Sequence, residues 1–425
     1  MAKRDKSDSV RERTVVRHGK LHRSRSVVNV AKGLLTAALV VVLSGVSVAA
    51  YAVWDLTSRV KPTVELATEI QPGEASIGAM SGEINIFLAG TDTREGQVID
   101  DGERGQLNDV NILLHVSEDH QQVTVMSFPR DLMLPVPSCP GPNGEEDYYS
   151  ARSEAQLNST LSIGGLPCVV ATIEQLTGME IPYAGLISFN GVISMSNAVG
   201  GVDVCLTQPI QDHETGLSLP AGNVTLAGVD ALQFLRTRHG VGDGGDKSRI
   251  SNQQIYMSSL VRKIKDASTL SNPIKVYGLA KATAENVTLS SSLNSIPVLQ
   301  SIAAALKDVP LEQINFLQYP TFRHPYQNGR LTADKNAAQI MLDLVKSGQA
   351  LNVASTGEAV IAVDENGNPL PAATPTPTAT PAPTETAADG TTTTPSPTPT
   401  AATLPDNVTG QSAATKTCSE GRTIY

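Results

Sequence analysis

Four short stretches carry the residues that could do chemistry. Gly90-Thr91-Asp92-Thr93-Arg94 follows an apolar run, Asn108-Asp109 precedes another, and Phe128-Pro129-Arg130-Asp131 closes a third. The fourth, Phe234-Leu235-Arg236-Thr237-Arg238-His239, leads into Asp243, Asp246, Arg249 and the pair Gln253-Gln254. Singly, each has an ordinary reading. An aspartate at a strand end is a turn former, and an arginine beside it is a surface ion pair of small worth. Together they set Arg94, Arg130, Arg236, Arg238 and Arg249 beside Asp92, Asp109, Asp131 and Asp246 at the ends of apolar elements. A guanidinium is a planar fork that matches phosphate oxygens two at a time and keeps its charge, so clustered arginines suit a phosphate or pyrophosphate. Carboxylates on separate loops suit Mg²⁺, which takes one or two of them and completes its shell with phosphate oxygens and water.

The elements that must hold these residues alternate in type. Ile84-Asn85-Ile86-Phe87-Leu88 reads as a buried strand ending near Gly90, and residues 110–116 and 123–128 read as two more. The polar turn at 117–122 between those two favours an antiparallel hairpin. Residues 166–177 predict a helix, with Pro167 in its first turn, Val169, Val170, Ile173 and Leu176 at helical spacing and Gly178 just past its end. Strands are expected at 184–188 and 202–206 with a helix at 189–198 between them. A further helix is expected at 248–265, where Met257, Leu260, Val261 and Ile264 share a face. This alternation predicts an α/β fold: a mixed central β-sheet covered by helices on both faces.

Charge and composition divide the 425-residue chain further. The net charge is −10, yet residues 1–32 carry ten Lys/Arg against three Asp/Glu, which leaves −17 on the rest. The acidic balance argues against nucleic acid as a partner. Residues 33–54 hold no charge and end on Trp54; as a helix they would reach ~33 Å, enough for a ~30 Å hydrocarbon core. A cleaved signal peptide is the competing reading, but its apolar region is usually ~7–15 residues. Six Lys/Arg in the 20 residues before the span, against two in the 20 after it, put the N-terminus in the cytoplasm and the body outside. The expected order is a basic cytoplasmic tail (1–32), a single transmembrane helix (33–54), a stalk (55–80), a catalytic domain (81–348) and a disordered Pro/Thr-rich tail (349–425). That tail has 20 Pro or Thr among the 30 residues of 371–400. Outside the membrane, Cys139, Cys168, Cys205 and Cys418 can form disulfides. Three pairings are open, and Cys139–Cys168 is favoured because it would staple a Gly/Pro-rich loop to the helix that follows.

The runs INIFLAGTDTR, NDVNILLHVSEDHQQVTVMSFPRDLMLPVP, GLSLPAGNVTLAGVDALQFLRTRH and DKSRISNQQ resemble, in this order, the LytR–CpsA–Psr family of cell-wall glycopolymer ligases. The resemblance covers residues 84–265 and extends toward 348. It implies a Mg²⁺-dependent phosphotransferase that moves a glycopolymer from a polyprenyl-pyrophosphate carrier onto peptidoglycan, with membrane lipid as its surroundings. By position it implies Asp92, Asp109 and Asp246 near the metal, Arg94, Arg130, Arg236, Arg238, Arg249 and Gln253 on the pyrophosphate, and Asp92, Arg130 and Asp131 as the catalytic set. Two positions depart from the family pattern: Leu107-Asn108 stands where Arg-Ser is usual, and Asn252 where a second arginine is expected. Arg104 could restore the first charge.

The chemistry implied is attack of an acceptor hydroxyl on the phosphorus that bears the glycan, with lipid phosphate leaving and Asp92 or Asp131 accepting the proton. The apolar helices at 166–177, 189–198 and 248–265 are candidates to line a channel for the lipid tail. Two readings of other classes use the same arginines: a non-catalytic envelope protein that binds or senses glycans, and a Mg²⁺-dependent polyprenyl-pyrophosphate phosphatase.

Overall fold

The structure is a computed structural model that describes residues 26–67, 81–93, 106–141, 144–266, 272–364, 369–370 and 401–422. Arg94, Arg104 and the Pro/Thr stretch at 371–400 lie outside the described residues. The chain divides into two units, residues 1–55 and 56–425.

The first unit carries most of helix α1 (Ser26–Arg59), the one helix among the described residues that is long and apolar enough to cross a membrane. Its 34 residues would extend ~51 Å at ~1.5 Å each. The helix overruns the predicted span of 33–54 at both ends. Beyond it, the expected stalk is partly body: Val64 N–H donates to Leu289 O (3.0 Å), Ser291 N–H donates to Val64 O (3.0 Å), and Leu66 is buried.

The second unit is built on a seven-stranded sheet. Numbered along the chain, its strands are β1 (Ile84–Thr91), β2 (Asn108–Val116), β3 (Val123–Ser127), β4 (Tyr183–Ile187), β5 (Val287–Leu289), β6 (Ile314–Gln318) and β7 (Gly410–Ser412). The spatial order is β5-β4-β1-β2-β3-β6-β7. β1 runs parallel to β4, and β3 runs parallel to β6. The pairs β1/β2, β2/β3, β4/β5 and β6/β7 are antiparallel. The sheet is therefore mixed, and β1, β3, β4 and β6 all end at one edge, where β2 begins. Both faces are covered, which is why β1 reads as a nearly unbroken apolar run. Phe87, Leu113 and Met126 pack on one side with Val169, Ile173 and Met341, which belong to α2 (Thr160–Thr177) and to a later helix, Lys335–Lys346. Ile86, Ile112 and Val125 face the other side with Val298 and Ile302.

Helix α2 starts six residues earlier than the predicted 166–177 and kinks at Gly164 and Gly165, the latter at φ +67°. A Cβ on Gly164 would stand 2.9 Å from both Cys168 Cβ and Pro140 O. Only glycine lets the helix approach so closely, and the predicted Cys139–Cys168 disulfide closes there. Helices α3 (Phe189–Val199), α4 (Gly228–Arg236) and α5 (Asp246–Lys265) follow. They pack around a four-stranded sheet ordered 222–226, 202–206, 417–419, 360–362. The predicted strand at 202–206 thus belongs to this smaller sheet.

The expectation of a disordered tail over 349–425 does not hold for residues 401–422. β7 completes the central sheet, 417–419 runs parallel to 202–206, and Cys418 is bonded to Cys205. These two strands, too short to fold alone, are stabilised by pairing with strands formed earlier in the chain.

Candidate active site

The shared edge where β1, β3, β4 and β6 end and β2 begins is the place such a sheet offers its loops to a ligand. β1 ends in a register shift between Gly90 and Thr91. A Cβ on Gly90 would meet Val110 Cβ at 2.9 Å, so the strands close only over glycine. The irregularity re-aims the next residue. Asp92 N–H donates to Leu107 O (3.2 Å), and Leu107 N–H donates back to Asp92 Oδ1 (2.8 Å). Asp109 follows near the start of the neighbouring strand, unpaired at that register shift between Asn108, the partner of Thr91, and Val110, the partner of Gly90.

Asn108, one of the two departures from the family pattern, is wholly buried and structural. Its Oδ1 accepts from Leu161 N–H (3.1 Å) in the first turn of α2, and its amide donates to Asn111 Oδ1 (2.6 Å). The other departure, Asn252, donates to Phe234 O (3.4 Å), while Gln253 Nε2 donates to Leu235 O (2.9 Å). Both amides on α5 therefore hold the last carbonyls of α4, directly before Arg236 and Arg238. Thr237, between those arginines, donates its hydroxyl to Asp212 Oδ2. Arg236 lies over the Phe189 ring at 4.6 Å, a cation–π contact.

Arg130 sits in the turn after β3. Its Nη1 donates to Asp109 Oδ1 at 2.7 Å, and its Nε lies 3.7 Å from Asp131 and 3.6 Å from Asp246. Burial alone would lower the Arg130 pKa, but Asp109, Asp246 and Asp131 outweigh it and raise it. Arg249, buried on the first turn of α5, places Nη2 2.6 Å from Asp246 Oδ1 and donates to the main-chain oxygen of Asp109 (2.9 Å). Burial lowers its pKa, yet a guanidinium starts so high that it keeps its charge. Asp131 accepts from Gln156 Nε2 (2.6 Å) and Arg330 Nη1 (3.0 Å). Burial and the nearby Asp246 push its pKa up against three arginines.

Two cavities meet at this network. The larger, about 880 Å³, is lined at its polar end by Asp92, Asp109, Arg130, Arg236, Arg238, Arg249 and Gln253. The rest is an apolar arm between the sheet (Leu88, Ile112, Ile187) and α3, α4 and α5, including Val192, Met195, Leu232, Met257 and Leu260. Helices α3 and α5 line it as expected. Helix α2 does not, because it packs on the opposite side of the sheet, and α4 takes the third place. The smaller cavity, about 450 Å³, is lined by Asp131, Asp246, Arg323, His324 and Arg330, and Arg238 borders both. Of the site residues that the sequence implies, seven thus converge on the larger cavity: Asp92, Asp109, Arg130, Arg236, Arg238, Arg249 and Gln253. Asp131 and Asp246 lie across the wall that Arg130 forms, and Arg94 is outside the described residues. Arg330, Gln156 and Asp212 were not singled out; each sits in a turn or a short strand with no local pattern to mark it.

For a hard cation the donors suffice only in part. Among the described residues no group of three or more His, Cys, Asp or Glu is poised to hold a metal. Asp92 and Asp109 line the same polar end. Both Asp246 carboxylate oxygens are buried without a well-formed hydrogen bond, even though Arg249 lies 2.6 Å from one of them. Two carboxylates at an open polar end, with a third under-satisfied nearby, fit Mg²⁺ bound jointly with substrate phosphate, and do not form a closed protein cage.

Residues 51–345, well over half of the chain, match the model of the LytR_cpsA_psr family. The chain is similar to the cell wall biosynthesis protein LcpA of Corynebacterium glutamicum, 28% identical over 285 residues that make up 59% of this chain and 52% of LcpA. It is also similar to the polyisoprenyl-teichoic acid–peptidoglycan teichoic acid transferase TagU of Enterococcus faecalis, at 22% identity over 66% of this chain and 86% of that protein. The match spans about half the length of LcpA and of the probable cell wall biosynthesis protein LcpB of the same organism, 52% and 45%. In fold, the second unit resembles the LytR-Csp2A-Psr enzyme from Actinomyces oris, with a TM-score of 0.50 and 21% identity over 68% of this chain and 96% of that one.

Proposed function

Because the chain belongs to the LytR–CpsA–Psr family, we propose that it is a membrane-anchored phosphotransferase that attaches a glycopolymer to peptidoglycan from a polyprenyl-pyrophosphate carrier. One observation carries this reading: a single cavity joins a long apolar arm to a polar end with four arginines, three aspartates and a glutamate. An apolar arm alone would be a core defect, and a polar pocket alone an anion site. Their continuity suits an amphiphile with a diphosphate head. LcpA and TagU are named for cell-wall biosynthesis and for teichoic acid transfer to peptidoglycan, which supports the same class of reaction here.

In this reading the prenyl chain lies against Met195, Leu232, Met257 and Leu260, and the diphosphate meets Arg130, Arg238 and Arg249. Phosphoryl transfers depend mainly on positioning and on charge placed where it develops. Arg249 and Arg130 are held rigid by Asp246 and Asp109, so they reach the phosphate pre-oriented. Mg²⁺, held by Asp92 and Asp109, would supply neutralisation of the diphosphate charge. The acceptor oxygen forms a new bond to the phosphorus that carries the glycan, and the bond from that phosphorus to the lipid phosphate oxygen breaks. The hydroxyl proton goes to a carboxylate, Asp131 being the one whose surroundings raise its proton affinity. The excess of basic residues ahead of the apolar span supports an N-terminus in the cytoplasm and a body outside; in that arrangement anchor and donor share one leaflet and the effective concentration is high.

The test is to incubate the full chain in detergent with a synthetic polyprenyl-pyrophosphate glycan and peptidoglycan oligomers, with and without Mg²⁺. A glycan–phosphate–muramyl product is expected only with Mg²⁺. Free phosphoglycan alone would favour a phosphatase, and unchanged donor with measurable binding would favour a sensor.

A further inference from the structure

The smaller cavity adjoins the polar end of the larger one and shares none of its apolar arm. Arg238 is common to both cavities, and Arg130 is hydrogen-bonded to Asp109 on one side while its Nε faces Asp131 and Asp246 on the other. A hydroxyl attacking in line with the lipid phosphate must approach the phosphorus from the side opposite that leaving group. One wall of the smaller cavity is the hairpin of strands Thr321–Arg323 and Leu331–Ala333. Its connecting loop is pinned. His324 Nδ1 accepts from Tyr326 N–H (3.3 Å) and Gln327 N–H (3.0 Å), which leaves the ring proton on Nε2 to be donated to Glu154 (3.2 Å). Gln327 also donates to Glu154 (3.0 Å), and His324 N–H donates to Arg330 O (2.8 Å).

Two aromatic rings of this hairpin face solvent, Phe322 on its first strand at 55% and Tyr326 in the loop at 91% exposure, the latter with its ring 6.2 Å from that of His324. Only 4% of the chain is aromatic, and outside helix α1 the exposed rings among the described residues are Tyr148, Tyr149, Phe322 and Tyr326, of which Tyr326 belongs to the braced loop that walls the charged cavity. Flat rings beside Arg323, Arg330 and carboxylate acceptors provide an apolar face together with donors and acceptors, the combination that a sugar chain with acidic substituents would use.

We propose that the cavity bounded by Asp131, Arg323, His324 and Arg330, with Tyr326 against His324 at its rim and Phe322 on the adjoining strand, binds the acceptor glycan of peptidoglycan and delivers its hydroxyl to the phosphorus from the side of Arg238. This site rests on the transferase reading for its purpose, but it can be measured without it. Peptidoglycan-derived tetrasaccharide is titrated into the full chain in detergent micelles, and a polyprenyl pyrophosphate is titrated separately. The wild type is compared with Phe322→Ala/Tyr326→Ala and with Arg323→Ala, none of which lines the larger cavity. Loss of a central aromatic anchor typically costs more than ~1 kcal/mol, so each ring should weaken acceptor binding by about fivefold. Donor affinity should stay unchanged, and where transfer is measured the acceptor KM should rise with kcat preserved. Tetrasaccharide affinity equal to wild type in both variants would overturn the site. So would a parallel loss of donor affinity, which would mean that the loop merely supports the fold. Absence of transfer by the wild type, with acceptor binding still dependent on the rings, would sink the transferase reading and leave the glycan site standing.

Discussion

Replacing Cys205 and Cys418 with alanine should cost more stability than replacing Cys139 and Cys168, even though both pairs are bonded in the same body. A disulfide limits the freedom of the unfolded chain, and the effect grows with the logarithm of the loop it closes. The Cys205–Cys418 bond closes 213 residues, for which chain entropy yields about 5.4 kcal/mol at 25 °C. The Cys139–Cys168 bond closes 29, for about 3.6 kcal/mol. The difference, about 1.8 kcal/mol, is large against the whole stability of a domain. Local contacts should widen it. The 417–419 strand continues to Arg422, whose N–H donates to Gly240 O (2.7 Å), while Gly242 N–H donates to Glu420 O (3.3 Å). These bonds brace the loop after Arg238, so loosening the segment should also lower transfer. The assay is urea unfolding of the two double variants and wild type, followed by fluorescence and analysed for midpoint and slope. An equal or smaller loss for the Cys205/Cys418 variant would refute the reasoning and return residues 401–422 to the status of an appendage.

Other consequences are as direct. Arg249→Leu leaves Asp246 buried without its closest cation and should destabilise the fold by roughly 3–5 kcal/mol by thermal or urea unfolding, whereas Arg130→Ala, at a side chain only 18% exposed and shared by three carboxylates, should abolish transfer and lower the melting temperature as well. Burial would raise the Asp212 pKa, but hydrogen bonds from Thr237 and from three backbone N–H groups, of Glu214, Thr215 and Gly240, hold it below the ordinary value. Its stabilisation is therefore present above about pH 3.9 and lost as pH falls through the depressed folded pKa. Asp212→Asn should flatten that acid limb of the stability curve. Val229→Asp puts a charge into the apolar arm at a partly exposed position and should weaken polyprenyl-pyrophosphate binding by about tenfold or more, with far-UV dichroism unchanged.

The sequence made legible whatever depends on local period. β1, the β2–β3 hairpin, α3 and α5 appear within a few residues of where apolar spacing puts them, because both faces of the sheet are covered and strands and helices keep their own repeat. The charged residues at strand ends were also readable: Asp92, Asp109, Arg130, Arg238 and Arg249 share one cavity. What stayed hidden depends on partners distant in the chain. Residues 410–412 and 417–419 carry no strand signal of their own and form because β6 and the 202–206 strand offer them an edge. Arg330 joins Asp131 across 199 positions, a pairing no spacing rule reaches. Asn108 and Asn252 read as lost positive charge, and the structure shows them spent on holding helix ends.

The central claim is that one cavity holds the lipid and the diphosphate of the donor. Photo-crosslinking tests it most directly, with a diazirine placed along the prenyl chain of a polyprenyl pyrophosphate and mass spectrometry of the labelled peptides. Labels at Met195, Leu232, Met257 and Leu260, reduced when Arg130 and Arg249 are replaced by lysine, are the predicted result. Labels confined to α1 at residues 26–59, and indifferent to those arginines, would contradict it.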